Sequence, residues 1–411
     1  MKAVVFTLGC KVNQCESASI IQGLRDNGWD VVDELTYAEL YVINTCAVTA
    51  EAEKKSRQTV ARALKYNPNA RIVITGCASE KSPLQFQKKN VFLITGAKNK
   101  DKIIKMINEE GFFIETTDEY YEEYLPAGSS RTRSYIKVQD GCNNFCSYCI
   151  IPYLRGRSRS RNPEDIKKEI DKLSPTEAVI TGINLSDYHY GSVDLSGLLI
   201  ELKDYKMRIR LGSLEVGVVD DKLLLATKQL YDFAPHFHLS LQSGSDNVLK
   251  SMNRKYTAEE YLKKVELIRS YYPNAGITTD IIAGFSTETI SDFEDTLNIV
   301  EQVGFSDIHC FAYSKREGTK AAAIKELPAE VKRSRLNALM GSKLKLKEAF
   351  IKKNIGVEHN FIPEELVDGY MVGYTGNYIR VYVDKNSCRD NEMCKVVITE
   401  PYADGARAIV I

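Results

Sequence analysis

Short Val- and Ile-rich runs recur along this chain with helical stretches between them, and no other feature narrows the fold as far. Residues 3–8, 40–44 and 71–75 have the composition of buried parallel strands, while residues 17–26 and 50–66 read as helices. Thr49 is placed to N-cap the second helix, which carries Glu51/Lys55 and Glu53/Arg57 pairs at helical spacing. This pattern predicts an open, doubly wound sheet with its ligand crevice beyond the carboxyl ends of the strands. Residues 115–134 are acidic and then turn to Pro, Gly and Ser, as linkers do. Beyond them strands are predicted at 178–181, 208–211, 236–241, 278–282 and 307–313. Roughly six βα units fit that length, so a full or incomplete (β/α) barrel is expected. Residues 329–354 are helical and end in a basic run of Lys343, Lys345, Lys347, Lys352 and Lys353. Short strands with Gly turns at 355–411 suggest a small β-barrel. At 411 residues the chain exceeds one ordinary core. The expected organisation is α/β: an N-terminal domain at 1–114, a linker at 115–134, a barrel domain with its trailing basic helix at 135–354, and a β-barrel at 355–411.

Lys+Arg and Asp+Glu both number 55, so any nucleic-acid site must be a local patch and not a basic coat. No apolar run reaches membrane-spanning length and the start lacks a signal-peptide pattern, so a cytoplasmic protein is expected, without a membrane partner. Ten cysteines in that setting ask for a metal or redox role before a disulfide one. Cys142, Cys146 and Cys149 lie within eight residues, three and then two residues apart. A loop of this length can wrap one face of a cubane cluster and give a thiolate to each of three irons. The fourth iron then stays free to bind S-adenosylmethionine (SAM) and pass it an electron. A structural zinc would need a fourth ligand, and no histidine precedes His189.

The triplet, with aromatic Tyr148 before its last cysteine, resembles the hallmark of the radical SAM superfamily. The run Ile150-Ile151-Pro152-Tyr153-Leu154-Arg155-Gly156-Arg157-Ser158-Arg159-Ser160-Arg161 is similar to the methylthiotransferase family in particular. So are Leu239-Ser240-Leu241-Gln242-Ser243-Gly244-Ser245, Thr279-Asp280-Ile281-Ile282-Ala283-Gly284-Phe285 and Tyr313-Ser314-Lys315-Arg316-Glu317-Gly318-Thr319. The resemblance implies an incomplete barrel with the cluster loop after its first strand. Cys10, Cys46 and Cys77 each follow directly on one of the three N-terminal strands, and parallel strands bring such ends to one edge. The family implies that these three hold a second 4Fe–4S cluster with one open iron, where sulfur could be carried. Cys15 sits where the family requires no ligand and reads as a helix-face residue.

The resemblance further implies that Gly182, Glu215 and Gln242 line the SAM pocket. Residues 131–161 hold Arg131, Arg133, Lys137, Arg155, Arg157, Arg159 and Arg161 against the single acid Asp140. Such a surface suits a phosphate backbone, with Arg155 and Arg157 nearest the cluster loop and also able to meet a substrate carboxylate. The tail resembles the RNA-binding TRAM domain. There Ile379, Val381 and Val383 would share one strand face, and Tyr378, Arg380 and Tyr382 the other, able to stack on bases. Against that, residues 355–411 carry five Lys/Arg and nine Asp/Glu. His236 and His238 share a strand face but suggest no role, Cys310 reads as packing, and Cys388 and Cys394 have no family role.

The resemblance thus implies a tRNA methylthiotransferase with two 4Fe–4S clusters and SAM, acting on adenine carbon 2 at position 37 in the anticodon loop. An electron donor such as flavodoxin or ferredoxin and a sulfur source are implied, and a monomer is expected. The opening Thr7-Leu8-Gly9-Cys10-Lys11-Val12-Asn13-Gln14 and the run from Arg155 to Arg161 look most like the branch acting on threonylcarbamoyladenosine. The rivals are isopentenyladenosine in tRNA, a ribosomal-protein aspartate, and a non-catalytic iron–sulfur RNA-binding protein.

Overall fold

The structure is a computed structural model describing residues 1–98, 100, 102–114 and 132–411. Most of the linker expected at 115–134, Arg131 included, lies outside the described residues. Six parallel strands form the N-terminal sheet: β1 (Lys2–Thr7), β2 (Asp30–Val32), β3 (Leu40–Thr45), β4 (Arg71–Gly76), β5 (Val91–Thr95) and β6 (Gly111–Phe113), in the order β2-β1-β3-β4-β5-β6. Helices α1 (Lys11–Asp26) and α2 (Ala50–Tyr66) are two of the crossovers. Alternate strand residues serve opposite faces: Val4, Ile43 and Ile74 pack with Val60 and Ala63 of α2, while Val5, Val42 and Val73 pack with Ile20 and Leu24 of α1. Thr49 caps α2 by accepting a hydrogen bond from the Ala52 amide (3.1 Å). The central strands stand as the sequence pattern indicates. The shorter β2, β5 and β6 were not indicated by it, and α1 begins at Lys11, ahead of the helix expected from residue 17, because Lys11, Asn13 and Gln14 in its first turn show no helical apolar period.

The second domain has six principal parallel strands, Arg133–Lys137, Glu177–Thr181, Arg208–Leu211, His236–Leu239, Gly276–Ala283 and Asp307–Ala312. Ser213–Leu214 carries the ladder from the third strand to the fourth. Among the described residues the first and last strands do not pair, so the barrel is incomplete. Leu239, Ile277, Ile281 and Ile308 pack outward against the surrounding helices. Helix Ala329–Lys353 then leads to a closed barrel of five strands, in the order Glu358–Val367, Tyr370–Thr375, Arg380–Asp384, Gly405–Val410, Cys394–Tyr402.

One buried acid ties the two barrels together. Glu177 accepts from Arg210 Nε (2.7 Å) and Arg208 Nε (2.5 Å). The free ends of these arginines donate to carbonyls of the closed barrel: Arg210 to Gly376 (3.0 Å) and Thr375 (3.3 Å), Arg208 to Asn360 and Tyr374 (both 3.3 Å). The approach is close enough that a methyl group at Gly276 would fall 2.2 Å from the Asn377 carbonyl oxygen.

Burial alone would raise the Glu177 pKa, but Arg210 and Arg208 outweigh it and hold it down at about 2. A folded value below the unfolded one means that this stabilisation is present above about pH 4.5 and fades as the pH falls toward 2. Glu177→Gln should strand two buried guanidinium groups and cost about 3–5 kcal/mol in urea unfolding at pH 7. The deficit relative to wild type should shrink as the pH is lowered through that window.

Candidate active site

Cys10, Cys46 and Cys77 stand at the carboxyl ends of β1, β3 and β4, and parallel pairing brings those ends to one edge. A methyl group at Gly9 would lie 2.8 Å from the Cys46 Sγ, which shows how tightly the Cys10 loop packs on Cys46. Gly9 meets this contact with φ +99°, a conformation that favours glycine. Cys46 and Cys77 are buried and Cys10 is exposed. Burial, then the neighbouring Cys77 thiol, push the Cys46 pKa up to about 12. Burial also raises Cys77, opposed by Arg155 and Lys100. Thiols so placed are protonated at neutral pH, and binding iron would release their protons. Three convergent sulfurs, two of them dry, fit an iron–sulfur cluster. Cys15 points elsewhere: its Sγ donates to the Tyr135 carbonyl of the barrel domain (3.3 Å).

Behind this edge lies a buried ion cluster that joins the first two domains. Arg155 Nη1 donates to Glu16 (2.8 Å) and Asp140 (3.1 Å), and Nη2 donates to Asn13 (2.8 Å). Lys137 bridges the same two acids, at 2.8 Å to Glu16 and 2.6 Å to Asp140. Lys100 pairs with Glu16 and donates to Asn44 (3.1 Å). Glu16 and Asp140 are both held far below the ordinary carboxylate range: burial opposes this, and Arg155, Lys100 and Lys137 outweigh it for Glu16, Lys137, Arg155 and Arg159 for Asp140.

The second cysteine triad occupies the loop after strand Arg133–Lys137, where the family pattern puts it. Gly141 turns the loop with φ +70°, and a methyl group there would fall 2.0 Å from the Arg157 carbonyl oxygen. Asn253 Nδ2 donates to the carbonyls of Asn144 and Phe145 (both 3.1 Å), and the Ser147 amide donates to Met252 (2.9 Å). Burial raises Cys142 to about 11 and Cys149 to about 12. Helix Ile151–Arg155 follows at once, and Ile150 and Leu154 pack in the same core as Cys77 and Ala78. The two triads therefore share one block of packed structure.

A cavity of about 310 Å³ opens beside this loop, lined by Cys146, Asp187, Glu215, Asn253 and Arg254. Arg254 donates to Glu215 (2.6 Å), the Ser240 carbonyl (3.1 Å) and the Cys146 sulfur (3.4 Å). No motif in the sequence singles out Arg254. Of the three residues expected around SAM, Glu215 lines this cavity. Gly182 instead lets the chain close on Gln139, whose Oε1 would lie 2.7 Å from a methyl group there. Gln242 is buried at φ +68° and bonded through its backbone to Asp280 and Ile282.

The expected surface contacts need correction. Arg155 is 1% exposed and spent on Glu16, Asp140 and Asn13, so it faces neither phosphate nor substrate. Arg157 is exposed, its guanidinium over the Phe145 ring at 4.5 Å. Tyr382 is 8% exposed, bonded to Asp404 (2.5 Å) and packed edge-on against Tyr402, so it is no stacking platform. Tyr378 precedes its strand at φ +72° and already stacks on His236 and Tyr374, with ring centres 4.6 and 4.7 Å away. Arg380 is paired with Asp404 (2.8 Å) and Glu365 (3.0 Å). The histidines also gain neighbours: Asp280 lies 3.3 Å from His238 Nε2 and 3.1 Å from His309 Nδ1.

Comparison with known proteins agrees with this geometry. Residues 136–300 match the radical SAM superfamily and residues 2–96 match "Uncharacterized protein family UPF0004". Proteins named threonylcarbamoyladenosine tRNA methylthiotransferase MtaB from Bacillus subtilis and Thermotoga maritima are 35% and 38% identical. They cover 98% and 92% of this chain, which in turn covers 96% and 91% of them. A tRNA-2-methylthio-N(6)-dimethylallyladenosine synthase of Clostridium novyi is 37% identical over 89% of this chain and 85% of its own length. Among solved structures, the radical SAM methyltransferase TsrM of Kitasatospora setae shares the fold with a TM-score of 0.55, at 11% identity over 95% of this chain and 80% of that one. The chain belongs to the radical SAM methylthiotransferase family. As such it uses SAM and two 4Fe–4S clusters.

Arg155→Ala should leave Glu16 and Asp140 undercompensated and cost about 3–5 kcal/mol in chemical denaturation. Iron content of the purified protein should fall with it.

Proposed function

We propose that the protein methylthiolates carbon 2 of threonylcarbamoyladenosine at position 37 of tRNA. The observation that carries this reading is the pair of three-cysteine sites joined through one packed core, in a chain whose MtaB relatives align over almost its full length. In this reading Cys142, Cys146 and Cys149 hold one cluster and Cys10, Cys46 and Cys77 the other. Bound at the first site, SAM and its cluster supply one-electron chemistry, which suits a carbon neither acidic nor electrophilic enough for acid–base catalysis. Arg254 fixes Glu215 and lies against the Cys146 sulfur, so it orients the cavity wall and offers positive charge to the thiolate. The ion cluster holds the sulfur-bearing edge against the barrel domain. Arg157 remains at the surface for a phosphate.

The target base leaves the anticodon-loop stack to reach the site. The reading also calls for an electron donor such as flavodoxin or ferredoxin, a sulfur source, and a cytoplasmic monomer. Among the described residues no helix is long and apolar enough to cross a membrane. Identity alone does not choose the adenosine, since the dimethylallyladenosine relative is as similar as the MtaB proteins. Mass spectrometry of tRNA nucleosides from a deletion strain tests the choice: 2-methylthio-threonylcarbamoyladenosine should vanish and its unthiolated precursor accumulate.

Cys146→Ala should abolish formation of 5′-deoxyadenosine from SAM. Cys46→Ala should lose about half the iron yet still form it, since each cluster has its own three ligands. Equal loss of SAM cleavage in two folded variants would refute this division. Cys15→Ser should retain both iron and activity, because its thiol is engaged with Tyr135.

A further inference from the structure

Between the open barrel, the closed barrel and the first residue of α1 lies a second cavity of about 220 Å³. Its wall draws on Lys11, on His236 of the barrel, on Lys347 of helix Ala329–Lys353, and on Tyr374 and Tyr378 of the closed barrel. The acids around it are engaged. Asp280 serves His238 and His309, Asp404 serves Arg380 and Tyr382, and Asp307 pairs with Lys343 (3.1 Å). Among the described residues neither Lys11 nor Lys347 makes a salt bridge or a hydrogen bond, and the nearest acid influence on Lys347 is the charge of Asp404, which Arg380 and Tyr382 already hold. His236 is 5% exposed and bonded to Thr278 through Nε2 (2.9 Å), but its Nδ1 is buried with no partner.

Two half-buried lysines without a salt bridge, beside a buried ring nitrogen that has no hydrogen-bond partner, suit an anion that also carries a hydrogen-bonding group. Lys11 directly follows Cys10, so the backbone that carries this lysine belongs to the sulfur-bearing edge. We propose that this pocket binds the amino-acid arm on the target adenosine, its carboxylate paired with Lys11 and Lys347 and its hydroxyl bonded to His236 Nδ1. The assignment rests on the threonylcarbamoyladenosine reading and moves carboxylate recognition from Arg155 to Lys11. A hydrocarbon arm would bury the lysines without a partner, and a site built for polar contacts rejects ligands that lack them.

The test measures the affinity of the cluster-loaded enzyme for anticodon stem-loops bearing threonylcarbamoyladenosine, isopentenyladenosine or plain adenosine. Wild type should prefer the first. Lys11→Met should lose roughly 10- to 100-fold on the first stem-loop and nothing on the others, as for one lost charge-assisted bond. Lys347→Met, remote in sequence from every cysteine assigned to a cluster, should show the same selectivity and decides the matter if Lys11→Met loses iron. Equal losses on all three stem-loops would make the anion a tRNA phosphate and overturn the proposal. So would unchanged affinity in both variants while wild type discriminates. A wild type without preference would overturn the substrate reading, and the pocket assignment with it.

Discussion

Arg155 bound to Glu16 and Asp140 is the contact on which the arrangement of the molecule depends. Glu16 belongs to α1, whose first turn follows Cys10, while Asp140 and Arg155 bracket the second cysteine triad. One guanidinium thus spans the two sites. Buried ion pairs give little net stability against an apolar alternative, because desolvation cancels most of the attraction. Their value is directional: the charges tolerate one relative placement of the domains and penalise others. Glu177 with Arg208 and Arg210 repeats the device between the two barrels. Each interface is therefore set by a few charges seated inside packed apolar surroundings.

The cysteines were legible because their chemistry is local. Three thiols in eight residues, and three strand ends on a parallel sheet, follow from spacing and period. The architecture was legible for the same reason: Val/Ile runs and helical stretches declare themselves over short windows, as do Ile379, Val381 and Val383 in the closed barrel. Arg155 and Lys137 were not. In the sequence they join a basic run containing a single acid, which reads as a solvated patch. The partner that buries them, Glu16, lies more than a hundred positions away.

Helix faces misled in a related way. Glu53 has Lys55 and Arg57 nearby in α2, yet its carboxylate goes to Lys81 (2.9 Å) and to Arg316 (2.5 Å) of the Tyr313–Thr319 motif. Exposed i,i+4 pairs are weak, and a buried tertiary arginine wins easily. Tyr378 and Tyr382 failed as stacking platforms because barrel closure and docking supplied protein partners that strand alternation cannot reveal. Arg254 carries no signal beyond being a cation, and Lys11 enters the sequence reading only as one member of the Thr7–Gln14 run. Only the cavities around them give these residues meaning.

Helix Ala329–Lys353 spans 25 residues, a rod of about 37 Å. It is pinned to the open barrel by Arg335 on Glu288 (2.6 Å) and Lys343 on Asp307, and it ends in the core of the closed barrel through Ile351. Such a strut transmits position instead of absorbing it. The acidic closed barrel is then less an independent RNA handle than a masonry course in the same chamber, seated by the rod at one end and by Arg208 and Arg210 at the other. Under the pocket assignment proposed above, grafting the segment beyond residue 354 from a relative with a different adenosine preference would rebuild one side of that chamber, so substrate range and tail would be inherited together.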